Sequence, residues 1–275
     1  MSEIYVPIRA FGDFTITTAV IKNHFTGKLD IILPNYLSEL YNVLNGDDYY
    51  NIVDVIDINR SPAFFELHKV KKAGDLLRLR REVITINKHL KRQHKHLFDY
   101  RNRRLNIFFK KFTYPVSTGN IYRAKINLLN STLTTKPADQ INYTGVDEVK
   151  KAVIFPGSRK RSKIVDIDLV RKIISSGLFK SIDYAYHQSE EPLDGAIVFH
   201  DFSGLKDIVL NYDLIISADS LPLHLAYFFN KPHFGIYNDY LNTQWLTPYI
   251  EEKKYHTVYT GNVEGTFADI KNKLA

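Results

Sequence analysis

Short apolar runs and amphipathic stretches alternate along nearly the whole chain. Ile4–Ile8, Leu29–Leu33 and Ile52–Ile56 are runs of strand length, rich in β-branched residues. Asp13–Asn23 and Asn35–Leu44, between them, carry the spacing of helices. From Pro62 to about His96 the pattern is mainly helical, with a short strand expected at Leu97–Tyr100 and an amphipathic helix at Leu105–Lys111. The polar stretch Asn130–Asp147 interrupts the pattern as a linker or irregular crossing. The alternation then restarts, with strands at Ala152–Phe155, Ile182–Tyr186 and Ala196–Phe199 and helices at Asp166–Ser176, Leu205–Asn211 and Gly265–Leu274.

Strands alternating with helices predict parallel sheets covered on both faces. Two such runs of similar length predict an α/β fold of two Rossmann-like lobes facing a cleft. The first covers residues 1–145 and contains a basic helical segment at 62–112; the second covers 150–275. No internal repeat or low-complexity segment is present.

A composition of 275 residues, 44% of them hydrophobic, is ample for two cores. Without cysteine there is neither a disulfide framework nor a thiolate metal site. No signal-like N-terminal segment and no apolar run of 18 residues occurs, so a cytoplasmic protein is expected. The formal charge of +7 is uneven: His68–Lys111 holds 15 Lys or Arg against three acids. Such a segment attracts phosphates, whether of a nucleic acid, a membrane surface or an anionic glycolipid. His89, His94 and His96 lie there without an acidic partner and read as solvated residues, so no metal is expected.

One stretch concentrates the candidate chemistry. Asp213-Leu-Ile-Ile-Ser-Ala-Asp-Ser-Leu-Pro-Leu-His-Leu-Ala226 reads as a buried strand, an Asp-Ser turn and a helix start, followed by a second strand within Asn230–Tyr237. Asp219 and Ser220 are good N-cap types, and Pro222 suits a first helical turn. A helix N-terminus at a strand end aims N–H groups and a positive dipole at one point, a ready phosphate site. His224 follows within the first turn, in reach of the same anion.

The run Asp219-Ser220-x-Pro222-x-His224-x-Ala226, followed by Lys231-Pro232, resembles the donor-site motif of the heptosyltransferases of glycosyltransferase family 9. Gly12-Asp13, after the first strand, resembles that family's N-terminal motif. Phe155-Pro-Gly-Ser-Arg-Lys-Arg-Ser-Lys163 resembles the start of its second lobe, and Ser203–Ile215 its approach to the donor motif. Two departures stand out. Leu221 occupies a position where the family has glycine, and Ile164, Val165 and Asp166 follow the lysine where it has Trp-Pro.

The resemblance implies a GT-B fold and an inverting, metal-independent transfer of heptose or a related sugar. The donor would be a nucleotide sugar, ADP-linked by preference, and the acceptor a lipopolysaccharide or surface polysaccharide precursor. It assigns Asp13 as the base, Lys163 to the diphosphate, and a carboxylate at Glu190 or Glu191 to the ribose. Gly157, Ser158, Asp219, Ser220, Leu221 and His224 would line the donor site. From the residues themselves, Arg159 adds a second cation beside the diphosphate. Arg101, Arg103 and Arg104, with the basic helix, would hold an anionic acceptor at the inner face of the plasma membrane. No nucleic-acid reader motif is visible, so no nucleic-acid partner is expected. The alternatives are an epimerase or hydrolase of nucleotide sugars on the same fold, a non-catalytic relative, or a nucleic-acid-binding basic protein.

Overall fold

The computed structural model describes residues 3–8, 11–59, 62–65, 70, 72–89, 95–98, 112–113, 119–137, 149–158, 160–190, 193–238 and 244–274. The chain divides into two compact units, 1–118 with 123–137, and 119–122 with 138–275.

In the first unit β1 (Glu3–Val6) leads into α1 (Phe11–His24), the short β2 (Phe25–Thr26) and β3 (Leu29–Pro34). After α2 (Ser38–Val43) come β4 (Tyr50–Ile56), α3 (Pro62–Phe65), α4 (Ala73–His89), β5 (Lys95–Phe98) and β6 (Phe112–Thr113). The helix α5 (Ile121–Leu129), whose residues from Arg123 on belong to this unit and whose Ile121 and Tyr122 belong to the second, and the two-residue β7 (Thr134–Thr135) complete it. The described strands form a parallel sheet in the order β4-β3-β1-β5-β6, while β7 pairs antiparallel with β2. β1 is therefore the strand from which the order runs out in both directions.

One face of this sheet packs Ile4, Val6, Ile32 and Ile56 against Phe64, Leu79 and Val83 of the basic helical segment. Helix α1 is buried almost all round, and its threonines are accommodated by bonding back along the helix. Thr15 donates to Phe11 O, Thr17 to Asp13 O and Thr18 to Phe14 O, each at about 3 Å. Tyr50, 2% exposed, is the centre of an aromatic cluster with Tyr5, Phe14 and Tyr41, and its hydroxyl lies 2.9 Å from Thr18 Oγ1.

The second unit runs β8 (Lys151–Phe155), α6 (Ile167–Ser175), β9 (Ser181–His187), β10 (Ile197–Phe199), α7 (Phe202–Asn211) and β11 (Leu214–Ala218). It continues through α8 (Leu221–Phe228), β12 (His233–Tyr237), α9 (Pro248–Lys253), β13 (His256–Val258) and α10 (Val263–Leu274). Its parallel sheet has the order β10-β9-β8-β11-β12-β13. This is the dinucleotide-fold order, which reverses direction between β8 and β11. Every residue of β11 and β12 is buried, as expected of central parallel strands. Asn230, in the left-handed region at φ 55°, turns the chain out of α8, and Lys231 Nζ caps the end of α7 at Leu210 O (3.0 Å).

Several expectations need correction. Of the strand expected at Leu97–Tyr100, Leu97 and Phe98 lie in β5, which begins two residues earlier because pairing with β1 runs from Glu3↔Lys95 to Val6↔Phe98; Asp99 and Tyr100 lie outside the described residues. The segment Asn130–Asp147 is not wholly irregular, since Thr134–Thr135 pairs antiparallel with the distant β2. Its residues 138–147 and the helix expected at Leu105–Lys111 lie outside the described residues. The helix α5 was not expected. Tyr122, Ala124, Lys125 and Leu129 form its buried side, and a lysine there disguises the amphipathic stripe. Lys125 is 1% exposed and donates to Thr17 Oγ1 at 2.5 Å.

Tyr50→Ala is expected to lower stability by about 3–5 kcal/mol through lost ring packing. Tyr50→Phe should cost only about 1 kcal/mol, the worth of the hydroxyl's bond. Urea unfolding of both variants checks the ratio.

Candidate functional site

The reversal of strand order places the carboxyl ends of β8 and β11 side by side, with Phe155 paired to Ser217. Ligands of open parallel sheets collect at such a point. From β8 the chain passes through Pro156, Gly157 and Ser158 to a short 3-10 turn at Arg161–Lys163. From β11 it passes through Asp219 to Ser220, the N-cap of α8.

Lys163 Nζ forms an ion pair with the Asp219 carboxylate. The two side chains are 17% and 3% exposed, so the pair is nearly out of water. Burial pushes the Asp219 carboxyl above its usual range, and the Lys163 charge pulls it partly back. The lysine is positioned from a neighbouring strand end: Asn238, just past β12, donates to Ser162 O (3.2 Å) and Ile164 O (2.6 Å) on either side of it. Val165 N donates to Pro156 O at 3.0 Å and closes the base of the same loop. Trp245, the chain's single tryptophan, has its ring centre 5.9 Å from Lys163 Nζ. A tryptophan thus accompanies this lysine, although it comes from the far side of β12 and not from the residues after the lysine.

The N-terminus of α8 carries no side-chain cap. The Ser220 hydroxyl lies 3.3 Å from Ser217 Oγ. Pro222 has no N–H to give, and Leu223 N turns back to Ser220 O at 3.2 Å. Leu221 is in the first helical turn with no positive φ, so the backbone there does not need glycine's freedom. What the side chain changes is the space beside the helix end.

His224 is 4% exposed, and its Nδ1 lies 2.8 Å from the hydroxyl of Tyr122. Burial, and then the charges of Lys163 and His233, bring its pKa down to about 3. It is therefore neutral at pH 7. His233 behaves alike, brought down to about 4 by burial. Its Nδ1 donates to Lys231 O and its Nε2 accepts from the Thr247 hydroxyl, both at 2.7 Å.

Glu190 reaches back over the start of the same loop. Its Oε2 accepts from His187 N at 3.0 Å, and its carboxylate fills the space that a Cβ on Gly157 would take. A side chain at position 157 would displace this carboxylate from its place over the loop. Ser158 is half-buried beside it. His187, Gln188, Ser189 and His200 form a polar group at the ends of β9 and β10, with Nδ1 of His200 2.7 Å from Gln188 Oε1.

In the first unit Asp13 lies in the first turn of α1, just after the carboxyl end of β1, and is 7% exposed. Arg159, Glu191, Arg101, Arg103 and Arg104 lie outside the described residues. Lys163, Asp219, Ser220, Leu221 and His224 follow the carboxyl ends of the central strands β8 and β11, with Gly157, Ser158 and Glu190 on the adjoining loops. Sequence reasoning missed Tyr122, Asn238 and Trp245. The tryptophan, as the only one in the chain, was the one available signal. Among the described residues, no three His, Asp or Glu side chains come together as a metal site would need. No described helix is long and apolar enough to cross a membrane.

Lys163→Met strands the Asp219 carboxylate, and is expected to lower stability at pH 7 by about 3–5 kcal/mol. Adding Asp219→Asn should recover most of that loss in the same urea titration. A second expectation concerns pH. A histidine whose folded pKa lies below its ordinary 6.5 stabilises the fold above pH 6.5 and loses that contribution as pH falls towards the folded value. By pH 5 the loss is about 2 kcal/mol per histidine. Asp219, raised, acts in the opposite sense. The test is therefore a comparison of slopes: His233→Gln should flatten the fall in stability between pH 7 and 5.

No family model matches the chain, and no curated protein matches its sequence. Solved structures do match. E. coli heptosyltransferase WaaC with ADP aligns over 99% of this chain and 100% of its own, at 12% identity and a TM-score of 0.62. A glycosyl transferase of family 9 from Veillonella parvula aligns over 98% and 90%, at 13% identity and a TM-score of 0.60. E. coli ADP-heptose lps heptosyltransferase II aligns over 99% and 98%, at 11% identity and a TM-score of 0.57. Over almost its whole length, then, this α/β chain has the fold of the family 9, GT-B type glycosyltransferases.

Proposed function

We propose that the chain is a glycosyltransferase that moves a sugar, heptose or a relative, from a nucleotide-sugar donor to an anionic surface glycolipid or polysaccharide precursor. The observation that carries this reading is the Lys163–Asp219 pair at the point where the strand order of the second unit reverses, beside an uncapped helix N-terminus. A cation held there by a carboxylate is ready to exchange that partner for a diphosphate. The helix end adds about 0.3–2 kcal/mol of its own. The solved structures of this fold include one with ADP and another with ADP-2-deoxy-2-fluoro heptose, which favours an ADP-sugar donor.

In this reading Asp13 accepts the proton of the acceptor hydroxyl as its oxygen attacks the anomeric carbon. The bond from that carbon to the diphosphate oxygen breaks on the opposite face, inverting the centre. Lys163, the N-terminus of α8 and His224 take up the charge that develops on the leaving diphosphate. Glu190, beside Gly157, accepts from the ribose hydroxyls. All these roles are met by side chains and backbone N–H groups, without a metal.

The basic helix α4 supports an anionic acceptor. Its buried side holds Leu79, Val83 and the Glu82 carboxylate, while Arg80 and Arg81 are exposed next to Leu77 (60%) and Ile84 (48%). Cations interleaved with exposed apolar side chains suit a glycolipid presented at the inner face of the plasma membrane. Arg101, Arg103 and Arg104 would extend the same charge.

Titration of ADP-, UDP-, GDP- and CMP-linked sugars, followed by calorimetry and by the fluorescence of Trp245, tests the reading. One donor class should bind. Lys163→Ala should weaken it roughly tenfold or more, as for the loss of a charge-assisted hydrogen bond. Asp13→Ala should leave binding intact and slow sugar transfer by about 10²–10⁴-fold. Binding of none of the four would reject the donor site, and free sugar released as fast as transfer would indicate a hydrolase.

A further inference from the structure

Tyr122 lies in the first turn of α5, on a segment whose sequence position belongs to the first half of the chain but whose packing belongs to the second unit. Asn120 holds it there. The Asn120 side chain accepts from Tyr122 N (2.9 Å) and donates to Leu246 O (2.9 Å), with Glu251 Oε2 at 3.4 Å. The Tyr122 ring stands edge-on to Tyr227, centroids 5.1 Å apart, and the residue is wholly buried.

A phenol sealed from water must donate its proton to some acceptor or lose a hydrogen bond outright. Among the described residues the one partner of this hydroxyl is His224 Nδ1. Burial, with the nearby Tyr227, Tyr237 and Asp219, keeps the phenol protonated. Tyr122 is therefore the donor and Nδ1 the acceptor. His224 is neutral, so its single proton sits on Nε2. Nε2 makes no hydrogen bond among the described residues, and it is absent from the sealed polar atoms that lack a partner. It is the polar atom of this ring left open to a ligand, in a region that feels the charge of Lys163.

We propose that Tyr122 is a positioning residue: by donating to Nδ1 it sets the rotation and tautomer of His224, so that Nε2–H is presented to the diphosphate of the nucleotide donor. The proposal rests on the donor-site reading above. With the tautomer reversed, Nε2 would offer a lone pair to an anion and repel it. A side chain supplied by the first half of the chain thus completes the phosphate site of the second unit.

The long-range ¹⁵N–¹H spectrum of ¹⁵N-histidine-labelled protein, with His224 assigned by His224→Gln, reads the tautomer directly and needs no ligand. The Nε2–H form is expected in the wild type and a mixture in Tyr122→Phe. Binding is then measured for ADP, UDP, GDP and CDP and for the matching nucleosides. Tyr122→Phe should weaken the diphosphate that binds about five- to tenfold while leaving its nucleoside unchanged. The same substitution in a His224→Ala background should have no further effect. A wild-type Nδ1–H spectrum, or an equal loss in both backgrounds, would overturn the proposal. If the wild type binds none of the four diphosphates, the donor-site reading falls, and the phosphate half of the proposal with it. The spectrum still decides separately whether Tyr122 sets the tautomer.

Discussion

A carboxylate withdrawn from water is costly unless a cation and hydrogen bonds replace the solvent it has lost. Asp219 is in that situation because of where the chain must go after β11. The strand is buried along its whole length, and the chain has to turn at once into a buried helix. Only a short polar turn fits between them, and its acidic side chain is left almost sealed. Much of the surrounding arrangement follows. Lys163 has to be brought back from the loop after β8, Asn238 has to hold that loop, and Trp245 lies near the lysine.

The histidines around this turn show a related economy. Each has both a buried ring and a defined partner at Nδ1, and neither can take up a second proton without forfeiting its surroundings. They therefore act as neutral groups whose donor and acceptor faces are set by neighbours. For His233 the neighbours are Lys231 O and the Thr247 hydroxyl, which tie β12 to the cap of α9. For His224 the neighbour is Tyr122, which comes from a segment about a hundred residues earlier.

How much of this was legible in the chain depends on whether the signal was local. The turn at Asp219–Ser220, with Pro222 and His224 behind it, was readable because strand end, cap and first turn are consecutive residues. Lys163 was readable only through the family pattern, since no local rule ties it to a residue 56 positions on. Tyr122 was not readable: it lies in a helix whose buried stripe contains Lys125, and that lysine hides the periodicity. The strand Lys95–Phe98 begins two residues before its apolar signal at Leu97 because its start is set by pairing with β1.

The sequence by itself determined the alternation of strands and helices, the parallel character of both sheets, the basic segment and the helix start that follows Asp219. These depend on hydrophobic periodicity, cap chemistry and charge, all of which act within a few residues of one another. The order of the strands, and with it the juxtaposition of β8 and β11, was decided by the tertiary structure. So were the partners of Asp219 and His224, the approach of Glu190 to Gly157, and the placing of Trp245 near Lys163. Those are pairings between distant segments, and they arise only when burial of the sheet faces has already fixed which strand ends are neighbours.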